Sequence, residues 1–178
     1  MTLDFDALDH EQFMREALHE ATLAWQQGER PIGAVIVCDG VVVARGRARH
    51  QERRSDLAHA ELNALLEAEQ FLADHHGQCV IYSTLEPCVM CLGAIVMSNI
   101  RHVVYGLADH WMESGQMLAM SYVRRHIQHY LGGILEEESM ALWARANRRE
   151  LRLLLSGKRD WNEGLDMEPP SVSPARVT

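Results

Sequence analysis

The chain is poor in cysteine: four in 178 residues, at Cys38, Cys79, Cys88 and Cys91. Its opening segment does not read as a secretory leader. The opening segment MTLDFDALDHEQF is acidic, with neither a positive n-region nor an apolar h-region. Without that context a disulfide framework is not the expectation, and metal or redox chemistry becomes the default use of the thiols. No apolar run approaches the roughly 20 residues that cross a bilayer, so the expectation is a soluble, cytoplasmic protein with no membrane partner. Positive charge is short as well: 17 Lys and Arg stand against 25 Asp and Glu, a formal net charge of -8. That balance disfavours broad non-specific attraction to nucleic acid. Internal repeats are absent.

What is present fits one domain with a real core, since 47% of the residues are apolar. Residues 1–160 are expected to form that domain. Residues 161–178 read as a Pro/Ser-rich tail without fixed structure. Two stretches run against the overall charge: five arginines between Arg45 and Asp56, and five arginines plus Lys158 between Trp143 and Asp160. Each, taken alone, is the solvated face of an acidic protein.

Apolar residues at three- and four-residue steps (Phe13, Ala17, Leu18, Ala21, Ala24, Trp25) predict a helix over His10–Gln27, stopped by Gly28. Two β-branched runs follow, joined by Asp39-Gly40, the dipeptide of a type I′ hairpin turn. Arg47–Leu57 reads as a polar loop and Ala58–Leu72 as a helix. Cys79–Thr84 reads as a buried strand, Cys88–Asn99 as a buried helix opened by Pro87, and His102–Gly106 as a strand. Leu107–Arg125 mixes helical and loop character. Ile127–Leu131 is a short strand and Ile134–Leu155 a final helix. Strands alternating with helices predict an α/β sandwich.

Two short motifs carry chemistry. His59-Ala60-Glu61 opens the second helix, and Pro87-Cys88-Val89-Met90-Cys91 opens the third. Helix positions three apart share a face, so Cys88 and Cys91 can aim both sulfurs at one point, and a helix start favours thiolate. His59 from the neighbouring helix completes three ligands. Three protein ligands with an open fourth position make a catalytic zinc site, one ion per chain, holding a water or hydroxide whose pKa falls to about 7. Glu61 is the proton carrier: it takes a proton from that water, delivers it to a ring nitrogen, and in a later transfer protonates a departing amine. The rival readings are a structural zinc completed by Cys38 or Cys79 and a redox Cys88–Cys91 pair. They leave Glu61 or His59-Ala60-Glu61 unexplained. Cys38 and Cys79 read as small buried hydrophobes, His75 and His76 as loop residues before Gly77 with no specific role, and His126 and His129 as surface residues.

H-x-E…P-C-x-x-C is the signature of zinc nucleobase deaminases. With Pro31-Ile32-Gly33-Ala34-Val35 and Thr84-Leu85-Glu86-Pro87-Cys88-Val89-Met90-Cys91-Leu92-Gly93-Ala94, the chain resembles the cytidine/deoxycytidylate deaminase superfamily from about His10 to Leu155. It is most similar to the branch of bacterial tRNA adenosine deaminases and guanine deaminases. The resemblance implies a three-layer α/β/α cytidine-deaminase-like sandwich with a mixed five-stranded sheet, a homodimer or higher oligomer, and a pocket built partly across subunits.

The substrate rim departs from the family. Ala48 stands where the family carries an Asn that contacts base or sugar. Ser55-Asp56-Leu57-Ala58 replaces D-P-T-A before the histidine, and Asp109-His110-Trp111-Met112-Glu113 keeps only the Asp of D-x-K-T-G. Ala48, Ala60 and Trp111 are the candidate substrate contacts. The expected substrate is a small aminated heterocycle, a nucleobase, nucleoside or related ring. The alternatives are adenosine in tRNA, drawing on the basic final helix; a nucleotide held by Arg47, Arg49, Arg53 or Arg54; and a catalytically silent binding protein on the same fold.

Overall fold

The computed structural model describes residues 3–158. The tail expected at 161–178 lies outside the described residues. Helix α1 (His10–Gln26) is capped by Asp9, whose side chain accepts from the Gln12 N–H at 2.9 Å. It buries Phe13, Met14, Ala17, Ala21 and Ala24 along one face. Strands β1 (Gly33–Cys38) and β2 (Val41–Arg47) form the expected hairpin. Cys38 pairs with Val41, and Asp39 and Gly40 both take positive φ, 50° and 74°, as a type I′ turn requires.

The stretch read as a polar loop contains a short helix, α2 (His50–Arg53). The helix expected over Ala58–Leu72 is two: α3 (Ala60–Glu67) and α4 (Glu69–His75), parted at Ala68. A 3-10 turn leads into β3 (Cys79–Leu85), then α5 (Val89–Met97) and β4 (His102–Leu107). The mixed stretch resolves into a 3-10 segment (Ser114–Ala119) and α6 (Ser121–His126), followed by β5 (His129–Leu131). The final helix is also two, α7 (Glu136–Ala146) and α8 (Arg148–Ser156). Asn147 between them is extended and caps α8, its side chain accepting from the Glu150 N–H. Asn prefers that position to a helix interior, which is why one apolar periodicity becomes two rods.

The sheet runs β2-β1-β3-β4-β5, with β1 antiparallel to β2 and β3, and β3, β4 and β5 parallel. Alternate residues of β1 and β3 enter opposite layers. Val35, Val37, Val80 and Tyr82 join Phe13, Met14 and Ala17 of α1. Ala34, Ile36, Cys38, Cys79 and Ile81 join Ala60, Ala64 and Leu65 of α3 and Leu92, Ile95 and Val96 of α5. This is the α/β/α sandwich with a mixed five-stranded sheet. Gly46 on β2 lets α3 approach: a Cβ there would overlap the Ala60 carbonyl oxygen and come within 2.5 Å of the Ala64 nitrogen. That close seat sets the N-terminus of α3 beside the end of β3.

Candidate metal centre and catalytic pocket

His59 and Cys88 are the residues at which α3 and α5 begin, each with extended backbone in the N-cap position. Cys91 lies within the first turn of α5 and is fully buried. Cys88 therefore caps the helix instead of sitting inside it, yet the two sulfurs still meet. His59 Nδ1 lies 3.6 Å from Cys88 Sγ and 3.5 Å from Cys91 Sγ. A tetrahedral zinc with Zn–N near 2.0 Å and Zn–S near 2.3 Å separates nitrogen from sulfur by about 3.6 Å. The donor set and its spacing therefore fit zinc. Among the described residues, this trio alone forms a cluster of three or more metal-binding side chains.

The electrostatics suit a cation. The Cys88 thiol is pushed down to about 4, first by its hydrogen bond with Cys91 and then by His59. Cys91 is pushed up, first by Cys88 and then by burial; binding a cation to both sulfurs requires both as thiolates. His59 is raised, chiefly by its contact with Cys88. Cys38 and Cys79 do not supply a fourth ligand: they face each other across β1 and β3, buried.

Glu61 stands in the first turn of α3, buried and adjacent to Cys91. Burial raises its carboxyl above the ordinary range. One partner was missed in the sequence: the Ser83 hydroxyl, on the central strand, donates to Glu61 Oε1 at 3.0 Å. A hydroxyl at the buried end of an apolar strand was the only available signal.

The substrate candidates fare unevenly. Ala48 and Ala60 are both fully buried; the Ala48 N–H donates to the Ile32 carbonyl, and its methyl offers no hydrogen bond. Trp111 lines a cavity of about 390 Å³ with His110, Glu113, Leu155 and residues 156–158, and no metal-centre residue shares that lining. The loop bearing it is organised by Asp109, buried, which accepts from the Trp111 and Met112 N–H groups. Glu86 accepts from the Asp109 N–H and the Tyr130 hydroxyl. Of the arginines considered for phosphate, Arg47 is spent on Glu20 and Gln27, and Arg53 on Asn63. His129 is not a surface residue of no consequence: its Nδ1 lies 2.7 Å from His102 Nδ1, and its ring stacks on Phe5 at 4.1 Å.

Comparison with known proteins agrees with this geometry. The family model for the cytidine and deoxycytidylate deaminase zinc-binding region matches residues 8–107. The tRNA-specific adenosine deaminase of Bacillus subtilis (strain 168) is 38% identical over 146 residues, 80% of this chain and 90% of that protein. A structure from studies of A-to-I editing by tRNA:A34 deaminases at the wobble position superimposes with a TM-score of 0.66 at 36% identity, covering 74% of this chain and 98% of that one. Guanine deaminase from Bacillus subtilis gives a TM-score of 0.53 at 32% identity, covering 61% and 69%. The chain belongs to the cytidine and deoxycytidylate deaminase family with its zinc-binding region, and it is a hydrolytic deaminase.

Proposed function

We propose that the protein hydrolyses a ring amino group of a small aminated heterocycle, leaving a carbonyl and releasing ammonia. The observation that carries this reading is the His59–Cys88–Cys91 trio at zinc-binding distances with a buried carboxylate beside it. His59, Cys88 and Cys91 hold the ion, which when bound makes water a nucleophile at neutral pH. Glu61 moves the protons: its carboxylate accepts one as water adds to the amino-bearing carbon and passes it to the ring nitrogen, then takes the second from the new hydroxyl and delivers it to the leaving amine as the carbonyl forms. The Ser83 hydroxyl holds Oε1 and so orients the carboxylate. A small substrate is supported by Ala48, which has no polar group to offer, and by the internal pairing of Arg47 and Arg53.

A second reading is adenosine in tRNA, favoured by the likeness to the Bacillus subtilis enzyme and by Arg148, Arg149 and Arg152, exposed on α8. Phosphate contacts there would make affinity fall steeply with salt.

The reading includes a homodimer. Val89 and Met97 are exposed on α5, 50% and 70%, with Met90, Gly93 and Ala94 half-buried between them. Such an apolar stripe on a helix suits burial against a second copy. It also includes a cytoplasmic location, supported by the four free cysteines; among the described residues no helix is long and apolar enough to cross a membrane. Residues 1–160 are proposed as the catalytic unit.

The test is ammonia release by zinc-loaded protein from aminated purines, pyrimidines, pterins and triazines, set beside inosine formation in tRNA. Glu61→Gln should lower kcat by at least about 10²–10⁴-fold while retaining one zinc per chain. Release from no ring, with inosine appearing in tRNA, would replace the first reading by the second. A silent protein would act on neither.

A further inference from the structure

Between β2 and His59 the chain leaves buried polar atoms without partners. Both ring nitrogens of His50 are buried and make no hydrogen bond among the described residues. Buried polar groups are nearly always paired, so an orphan beside a reaction centre marks a place for a ligand. The His50 ring stands edge-on to that of His59, with centroids 5.0 Å apart and planes at 63°.

The position is built, not incidental. Glu29, itself buried, accepts from the Gln51 and Glu52 N–H groups at 3.0 and 2.8 Å, anchoring the start of α2. The Arg49 N–H donates to the Ala58 carbonyl, tying this loop to the residue before His59. Glu29 Oε2 also faces His50 Nδ1 at 4.0 Å. With the ring proton on Nδ1, the nitrogen turned toward that carboxylate, Nε2 keeps its lone pair as an acceptor. His59, Arg30 and Asp56 are the other titratable or charged groups whose fields reach the ring. Two residues earlier Ala48 presents only a methyl group, which offers a substrate no hydrogen bond.

We propose that His50 is a substrate-recognition residue, its Nε2 accepting a hydrogen bond from a ring N–H or a second amino group of the heterocycle deaminated beside His59. The inference rests on the deaminase reading and narrows it to rings that carry a donor besides the amino group lost. A site built to pair such a donor rejects the analogue lacking it far more strongly than an apolar pocket rejects a change in size.

Wild type, His50→Phe and His50→Gln, each full-length and zinc-loaded, are compared on guanine, 1-methylguanine and 9-methylguanine, and on adenine and 9-methyladenine. In the wild type, one methyl derivative should show kcat/KM about 10–100-fold below its parent. His50→Phe should lower kcat/KM for that parent by a similar factor, mainly through KM, and leave the methyl derivative unchanged. His50→Gln, whose amide oxygen accepts, should restore discrimination. Zinc per chain should stay constant. Equal turnover of parents and derivatives by the wild type, a uniform loss in His50→Phe, or loss of its zinc would overturn the proposal. Should no compound release ammonia with wild type, the small-substrate reading fails on its own. Calorimetric binding of the same compounds to the same three proteins then decides on His50: a methyl-sensitive loss of affinity supports it, and its absence rejects it.

Discussion

A hydroxyl at the end of a buried strand decides how Glu61 is held. Ser83 fixes Oε1, and a side chain whose orientation is set before reaction needs no reordering during it. Ser83→Ala should lower kcat about tenfold, the scale of one lost hydrogen bond to a charged group. KM and zinc content should change little, and Ser83→Thr should recover most of the rate; steady-state kinetics with metal analysis checks this. His59, Glu61, Cys88 and Cys91 were legible because two ligands three apart at a helix start, and a carboxylate two after the third, are local patterns. Ser83 and His50 were not. Their meaning lies in contacts across 22 residues and between loop and ligand, which no local spacing encodes. His129 was misread for the same reason: its partners Phe5 and His102 arrive from distant parts of the chain.

Helices and strands were read in the right order, and the hairpin turn to the residue, because positive φ at Asp39-Gly40 is a property of the dipeptide itself. The breaks at Ala68 and Asn147 escaped, since apolar periodicity continues through both and only backbone geometry interrupts it. Gly46 illustrates how one element seats another. Gly46→Ala would drive a methyl into the Ala60 carbonyl at the first turn of α3, and overpacking of this kind costs about 1–3 kcal/mol. Thermal denaturation should register a fall of several degrees, and because α3 begins at His59, zinc retention after dialysis should fall with it. An unchanged melting point would show that α3 shifts without cost.

At the scale of the whole molecule, the N-terminal arm is fastened to the far side of the sheet. Phe5 stacks on His129 and His102, and burial, then His129 and Arg101, lower His102 to about 4. A histidine held neutral in the fold binds fewer protons than it does unfolded. Its stabilisation is complete above about 6.5 and is lost as pH falls toward 4. Between pH 7 and pH 4.5 this amounts to about 2 kcal/mol. Urea titrations should show a loss of that order in wild type and a clearly smaller one in His102→Asn. Association is the other property of this scale. Placing a charge on the open stripe of α5, as in Met97→Lys, should convert a dimer to monomer by sedimentation, while a wild type that sediments as monomer would remove the dimer from the reading.

The order in which the strands are synthesised differs from the order in which they lie. β1, whose six residues all end up buried, pairs at once with β2 but waits roughly 40 residues of chain for β3 to cover its other edge. At about 5–20 residues per second, a nascent chain carries that bare apolar edge for several seconds. An open strand of this kind is a template for other chains. Crowded ribosomes, more than the finished protein, are where aggregation of this sequence would begin.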